Sequence, residues 1–292
     1  MTSLDGRTIG FIGLGLMGRP MSLNLMNAGA ALSVFDVVPE ALSHQAALGM
    51  TAAASPAAAA ETAEVVIVMV SDTPSVEAVL LGENGVVGAL APGALVIDMG
   101  TTAVPATRRF AAAVAERGCE YVDAPVSGGS VGAEAGNLTI MAGGSDAAIA
   151  RAMPILEVLG GRITHVGDNG AGQVAKAANQ VIVGINIVAA AEALTLARRA
   201  DVDPERVRQA LTGGFADSRI LELHGLRMTS GDFTPGGKVT TQHKDMTQAL
   251  DLAAELGFDL PATRLTRQMC QTVMDQGDGD LDHAALIKAL GE

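Results

Sequence analysis

Tryptophan is absent from this 292-residue chain, tyrosine occurs once and phenylalanine six times. Since 49% of the residues are hydrophobic all the same, the core must be built from Ala, Val, Leu, Ile and Met, side chains that suit close packing of helices on a sheet. Basic residues are scarce as well. The 19 Lys and Arg stand against 32 Asp and Glu, a formal charge of −13, and they form no cluster. With so few aromatics to stack a base, that balance argues against nucleic acid as a partner, and an anionic surface disfavours acidic membranes. The two cysteines, Cys119 and Cys270, form neither a C-x-x-C pair nor a disulfide framework, which fits a reducing compartment and a cytoplasmic protein. The five histidines, at 44, 165, 224, 243 and 283, show no ligand spacing, so no metal is expected. No basic segment followed by an apolar run opens the sequence, so no secretory signal is expected. The one stretch resembling a membrane span, Val181 to Ala197, contains Asn186 and Glu192. A charge at the centre of a span costs about 2.5–3.5 kcal/mol on insertion scales, and burial inside a soluble protein is the expectation.

What the chain does have is alternation. Apolar runs at Thr8–Ile12, Leu32–Phe35, Val65–Val70, Leu95–Asp98, Glu120–Asp123, Leu138–Met141 and Ile163–Val166 are separated by segments that open on Pro, such as Pro20–Asn27, Pro39–Leu48, Pro74–Leu81 and Pro105–Arg117. Near-continuous Val, Ile and Leu content marks strands covered on both faces, and Pro suits the first turn of a helix. The pattern predicts a doubly wound α/β domain over residues 1–165. After Gly172 a single helical period runs from about Gln173 to Arg199, and further helical segments follow without a convincing strand. Residues 166–292 are therefore expected to form an all-helical second domain.

The strongest local signal is Gly13-Leu14-Gly15-Leu16-Met17-Gly18, which follows a strand and opens a helix. In such a Rossmann-type turn the first glycine allows a tight bend, the second lets the backbone approach a pyrophosphate and the third lets helix pack on strand. The helix N-terminus adds unpaired N–H groups. A second strand ends at Asp36, where a carboxylate can accept hydrogen bonds from a ribose 2′-hydroxyl and repels a 2′-phosphate. No Lys or Arg lies between Arg19 and Arg108, so the expected cofactor is NAD rather than NADP. Val70, Ser71, Thr101 and Thr102 follow later strand-like runs and are expected at the same sheet edge, although such hydroxyls are also ordinary helix caps.

The chain contains four lysines, and Lys176 stands in an apolar helix with Asn179 and Gln180 three and four residues on. Desolvation and a nearby nicotinamide would push its pKa down toward the working range of a proton donor. The alternative is a first-turn lysine whose stem packs while its head reaches water. Ser127, Gly128 and Gly129 lie where a strand passes into glycine-rich backbone, able to present a hydroxyl and N–H groups to an anion, or to form a plain turn. Lys244 could add charge to this site or be a surface lysine.

The motifs Gly13-x-Gly15-x-Met17-Gly18, Asp123-Ala-Pro-Val-Ser127-Gly-Gly129, Gly170-x-Gly172-x-x-x-Lys176-x-x-Asn179 and Lys244-Asp245 resemble those of the β-hydroxyacid dehydrogenase family over nearly the whole chain. The resemblance implies hydride transfer between NAD(H) and a small carboxylate bearing a hydroxyl or aldehyde. Lys176 would be the acid/base, and Ser127, Gly128, Gly129, Asn179 and Gln180 would bind substrate. Lys244 would lie near both substrate and nicotinamide, and the glycine turn, Asp36 and Thr101 or Thr102 would hold the dinucleotide. It also implies a homodimer or homotetramer. Asn179 to Asn186 and Glu192 to Ala197 look most like the branch that reduces tartronate semialdehyde to glycerate, with 3-hydroxyisobutyrate, L-serine and threonate-like acids as alternatives. Many relatives carry Asn where this chain has Gln180 and Phe where it has Gly237. A non-catalytic NAD-binding reader module would share the nucleotide motif, but Lys176, Ser127 and the lack of a basic appendage count against it.

Overall fold

Runs of Val, Ile and Leu between proline-led segments produce, in the first part of the chain, a sheet with helices on both faces. The computed structural model describes residues 3–291, which fall into two units, Met1–Lys176 and Ala177–Glu292. The first unit runs β1 (Thr8–Ile12), α1 (Gly18–Asn27), β2 (Ala31–Phe35), α2 (Pro39–Ala47), β3 (Thr51–Ala52), α3 (Pro56–Ala60), β4 (Val65–Val68), α4 (Thr73–Leu81), α5 (Val86–Ala89), β5 (Leu95–Asp98), α6 (Val104–Ala115) and β6 (Glu120–Asp123). These strands are parallel in the order β3-β2-β1-β4-β5-β6. The winding therefore reverses between β1 and β4, and a ligand crevice lies at the carboxyl ends of strands that flank such a reversal.

Then the direction changes. β7 (Val126–Ser127), α7 (Gly129–Glu134), β8 (Leu138–Gly143), α8 (Asp146–Leu159) and β9 (Gly160–Gly167) follow, with β8 antiparallel to both β6 and β7 and β9 parallel to β8. The apolar runs pointed to strands covered on both faces and did not mark this change of direction, because the run from Asp123 to Leu138 holds only a two-residue strand and one short helix. That is a tight reversal, too short for a full crossover helix on the sheet face.

Alternate strand residues serve two cores. Phe11, Ile67, Ile97 and Val122 face one side, where Met21 and Leu25 of α1 and Ile149, Ile155 and Leu156 of α8 cover them. Ile12, Val66, Val68 and Val96 face the other, under Leu80 of α4 and Phe110 and Val114 of α6. Two-sided burial is the reason these strands read as unbroken apolar runs.

The helix α9 (Ala171–Arg199) begins in the first unit and ends in the second. By length and composition its 29 residues could cross a membrane, and just under half of its apolar window is buried. In the second unit it is followed by α10 (Pro204–Leu211), α11 (Arg219–Ser230), α12 (Val239–Glu255), α13 (Pro261–Asp275) and a 3₁₀ helix (His283–Leu290). No strand occurs there among the described residues. Ile187, Val188, Ala191 and Leu194 of α9 pack with Leu221, Met228, Val239, Cys270, Val273 and Leu286, so the inner face of α9 is a core element of a helical unit. Asp203, Ser218 and Asp282 cap α10, α11 and the 3₁₀ helix through their side chains, the usual way to satisfy first-turn N–H groups.

Candidate active site

At the end of β1 the chain turns through Gly13, whose φ is +99°. A Cβ there would stand 2.2 Å from the Met69 carbonyl oxygen, and one on Gly18 would stand 1.9 Å from the Gly13 oxygen. Any side chain at either place would push the turn off the sheet. Gly15 differs, because a Cβ there would meet nothing within 4 Å. Leu14 is buried, Leu16 exposed and Met17 half-buried. α1 starts without a side-chain cap and without an acidic residue in its first turn, so its N–H groups and partial positive charge face outward, ready for an anion.

Asp36, just past β2, folds back onto this turn. Its Oδ2 accepts the Leu14 N–H at 2.5 Å and its Oδ1 accepts the Val38 N–H at 2.8 Å, which fixes the carboxylate beside the glycine loop. The open face at Gly15, the uncapped helix and the fixed acceptor together fit a dinucleotide whose phosphates lie on α1 and whose ribose hydroxyls donate to Asp36. Arg19 directs its Nε to the Leu14 oxygen at 2.9 Å.

The later loops divide into surface and interior. Ser71 donates to Asp72 at 3.1 Å, and Asp72 caps α4 by accepting the Ser75 N–H at 2.9 Å. Val70 and Thr101 are half-buried. Thr102 is buried and belongs to a network that spacing did not suggest. Its hydroxyl donates to Asp98 Oδ2 at 2.8 Å, its N–H donates to Gln173 Oε1 at 3.0 Å, and Gln173 Nε2 donates to the Gly100 oxygen at 2.9 Å. Tyr121 donates to Asp98 at 3.0 Å.

Asp98 and Asp123 are register partners at the ends of β5 and β6, both fully buried. Asp123 accepts N–H groups from Gly170 at 2.7 Å and Gln173 at 3.0 Å, so it caps the helix that carries Lys176. Burial pushes the Asp123 carboxyl up to about 6; the hydrogen bonds from Gly170 and Gln173 oppose this, and the Asp98 charge adds to it. Burial and the charges of the same two aspartates raise the Tyr121 hydroxyl. The one available signal in the sequence was an acid ending each of two apolar runs. Gln173 had none.

Lys176, 7% exposed, donates from Nζ to the Val126 oxygen at 2.9 Å. That carbonyl immediately precedes Ser127, so the fold brings Lys176 against the Ser127–Gly129 segment from fifty residues away. Ser127 is half-buried and Gly128 and Gly129 are exposed, both with left-handed backbone, φ +138° and +61°. The segment can therefore present a hydroxyl and N–H groups beside an ammonium, an arrangement suited to a carboxylate next to a carbonyl that receives a proton.

In the second unit, Asn179, Gln180, Lys244 and Asp245 form one chain of contacts. Asn179 Nδ2 donates to Gln180 Oε1 at 2.8 Å, Gln180 Nε2 donates to Asp245 Oδ2 at 2.5 Å, and Lys244 Nζ lies 3.2 Å from Asp245 Oδ1. Asp245 entered the sequence reading only as the second residue of the Lys244-Asp245 motif, and Gln242, which donates to the Gln180 backbone oxygen at 3.4 Å, had no signal there.

The same unit gathers His224, Asp282 and His283, whose ligand-type atoms lie within 4.8 Å of one another, a cluster that chain spacing did not reveal. Asp282 accepts N–H groups from Gly236, Gly237 and Ala284 and pairs with Arg227 at 2.9 Å. Burial pushes its carboxyl up, but the His224 hydrogen bond, the His283 charge and the N–H groups outweigh this and hold it well below the ordinary range. With a guanidinium on the same carboxylate, the cluster ties a loop to the 3₁₀ helix.

Residues 8–167 match the NAD binding domain of 6-phosphogluconate dehydrogenase, and residues 170–290 match the NAD-binding family of NADP-dependent 3-hydroxyisobutyrate dehydrogenase. The chain is 47% identical to the 2-hydroxy-3-oxopropionate reductase of Escherichia coli (strain K12), over 97% of its own length and 96% of that protein. Among solved structures it is similar to a 3-hydroxyisobutyrate dehydrogenase of Mycobacterium tuberculosis with L-serine, at a TM-score of 0.89 and 33% identity, covering 98% of this chain and 99% of that one. It is also similar to one from Salmonella typhimurium, at 0.88 and 32%, covering 97% and 99%.

Proposed function

Because this chain belongs to the β-hydroxyacid dehydrogenase family, oxidoreductases that act on a CH–OH group with a pyridine nucleotide, we propose that its substrate pair is tartronate semialdehyde (2-hydroxy-3-oxopropionate) and glycerate. The 47% identity to the E. coli enzyme of that name carries the substrate assignment. The buried contact of Lys176 with Val126, next to Ser127 in β7, carries the chemistry.

Bound nicotinamide supplies or accepts the hydride, which is the chemistry the chain itself lacks. In reduction Lys176 gives a proton from Nζ to the aldehyde oxygen, and in oxidation it takes the proton back from the hydroxyl. Ser127 and the N–H groups of Gly128 and Gly129 hold the carboxylate, fixing the carbonyl in line for transfer. Asn179 supplies its amide to the substrate with Gln180 behind it, and Lys244 supplies charge to substrate and nicotinamide. Gly13 to Gly18 would hold the dinucleotide and Asp36 its ribose, Val70 and Ser71 would face it from the same sheet edge, and Thr101 or Thr102 would stand toward the nicotinamide ribose. We take the cofactor to be NAD, since Asp36 would repel a 2′-phosphate, the assembly to be a homodimer or homotetramer, and the compartment to be the reducing cytoplasm, where the buried free Cys119 and Cys270 stay reduced.

The test is NADH consumption with a panel of small semialdehydes. Tartronate semialdehyde is expected to give the highest kcat/KM. A higher value for methylmalonate semialdehyde would reassign the chain to 3-hydroxyisobutyrate, and no turnover of any member would overturn the proposal.

A further inference from the structure

A side-chain amide can be turned end for end with little change of shape, so its neighbours decide which end faces a ligand. The chain through Gln180 makes that decision for Asn179. Asp245, 3% exposed and paired with the Lys244 ammonium at 3.2 Å, is a carboxylate that accepts hydrogen bonds and donates none. Gln180 must therefore turn its NH₂ toward Asp245, which it does at 2.5 Å. Its oxygen then points the other way and requires a donor, and Asn179 meets it with Nδ2 at 2.8 Å. With Nδ2 given to Gln180, Asn179 keeps its carbonyl oxygen for another donor. No described residue donates to that oxygen. Asn179 lies three residues beyond Lys176 on α9, and that spacing puts two side chains on one helix face.

We infer that Asp245, acting through Gln180, holds Asn179 with its carbonyl oxygen toward the substrate, and that this selects a substrate bearing a hydroxyl at C2 over one bearing a methyl there. The inference rests on the function proposed above and deepens it. An outward acceptor rewards a donor, and a hydroxyl donates where a methyl of nearly the same size cannot. It also repels a carboxylate, which leaves the substrate carboxylate to Ser127 and its glycines. Gln180 is a positioning residue here, because both ends of its amide are taken by neighbours. Its length matters, since Asn at 180 is one methylene shorter and could not hold Asp245 and Asn179 together.

The experiment compares 2-hydroxy-3-oxopropionate with 2-methyl-3-oxopropionate, which share an aldehyde and a carboxylate and differ at C2 alone. Values of kcat/KM with NADH are measured for the unmodified protein, Gln180→Asn and Asp245→Asn. A site that bonds a substrate hydroxyl rejects the analogue lacking it strongly, so the unmodified protein is expected to prefer the hydroxy compound by ~10²-fold or more. Both variants are expected to bring that ratio down by ~10-fold or more, mainly through KM of the hydroxy compound. Loss of general structure, or of Lys244 placement, would lower both substrates together and leave the ratio alone. Should Asp245→Asn fail to fold, Gln180→Asn still decides the matter. An unchanged ratio in the variants overturns the inference while the proposed function stands, and no preference for the hydroxy compound in the unmodified protein overturns the inference together with the proposed substrate. Turnover of neither compound overturns the proposed function and the inference together.

Discussion

Lys176 is buried at 7% exposure with its ammonium on a backbone oxygen, so replacing it would remove the proposed proton carrier without touching the glycine turn or Asp36. Losing a positioned acid/base costs ~10²–10⁴ in rate, and Lys176→Ala is expected to lower kcat by about that factor while NAD affinity, read by calorimetry, is retained. Lys176→Arg is expected not to rescue, because a guanidinium does not give up its proton near neutral pH. Near-normal turnover in Lys176→Ala would remove the residue from the mechanism. Asp36 is the proposed ribose acceptor. Its two oxygens are already fixed by Leu14 and Val38 N–H groups, and its charge is what a 2′-phosphate would meet. The unmodified protein is expected to favour NAD in kcat/KM, and Asp36→Ala to narrow the preference; equal efficiency with NAD and NADP before mutation would count decisively against this.

Between residue and molecule, the element that organises the site is the N-terminus of α9. Asp123 holds it through Gly170 and Gln173, and Gln173 in turn holds the loop from Gly100 to Thr102. This clamp has a pH signature. The folded carboxyl is raised from 3.8 to about 6, so the fold favours the protonated form. Below about pH 4 both states are protonated and the group costs nothing. As pH rises from about 4 to about 6 the unfolded chain ionises first, and stability falls by roughly 3 kcal/mol, about 1.4 kcal/mol for each pH unit crossed. Asp123→Asn lacks this dependence. The difference in unfolding free energy, variant minus unmodified, is therefore expected to grow between pH 4 and pH 6 and level off above, as read from urea melts of the protein. Carboxylates held low, such as Glu205 under Arg208 and Asp282, lose stability toward acid in both proteins and cancel in the difference. A difference that stays flat would show that Asp123 does not titrate there.

On the scale of the whole molecule, α9 leaves large apolar side chains on its outer face, with Ile182 62% and Leu196 71% exposed. Large exposed aliphatic groups aligned on one helix are what the proposed assembly would cover. Sedimentation velocity is expected to give a dimer or tetramer at micromolar concentration, and Leu196→Glu to shift it toward monomer. A monomer before mutation would contradict the proposed assembly.

The sequence by itself determined whatever depends on near neighbours along the chain. The glycine turn between β1 and α1, the acid closing β2, the apolar strands and the long helix were all legible, because backbone conformation and burial pattern are written at spacings of a few residues. Ser127 and Lys176 could be named as candidates on the same grounds. Their meeting could not, since only the folding of α9 onto the end of β6 brings the Lys176 ammonium to the Val126 oxygen. Short pieces were also hidden: β3 and β7 have two residues each, too few to show a period, and the reversal into β8 turns on hydrogen-bond partners far away in the chain. The Asp98, Asp123 and Gln173 network, the Gln180 link to Asp245 and the His224, Asp282 and His283 cluster belong wholly to the tertiary structure. A buried polar group is tolerated only where folding delivers a partner for it, and most of those partners lie from about twenty to seventy residues away along the chain, a separation no local pattern records.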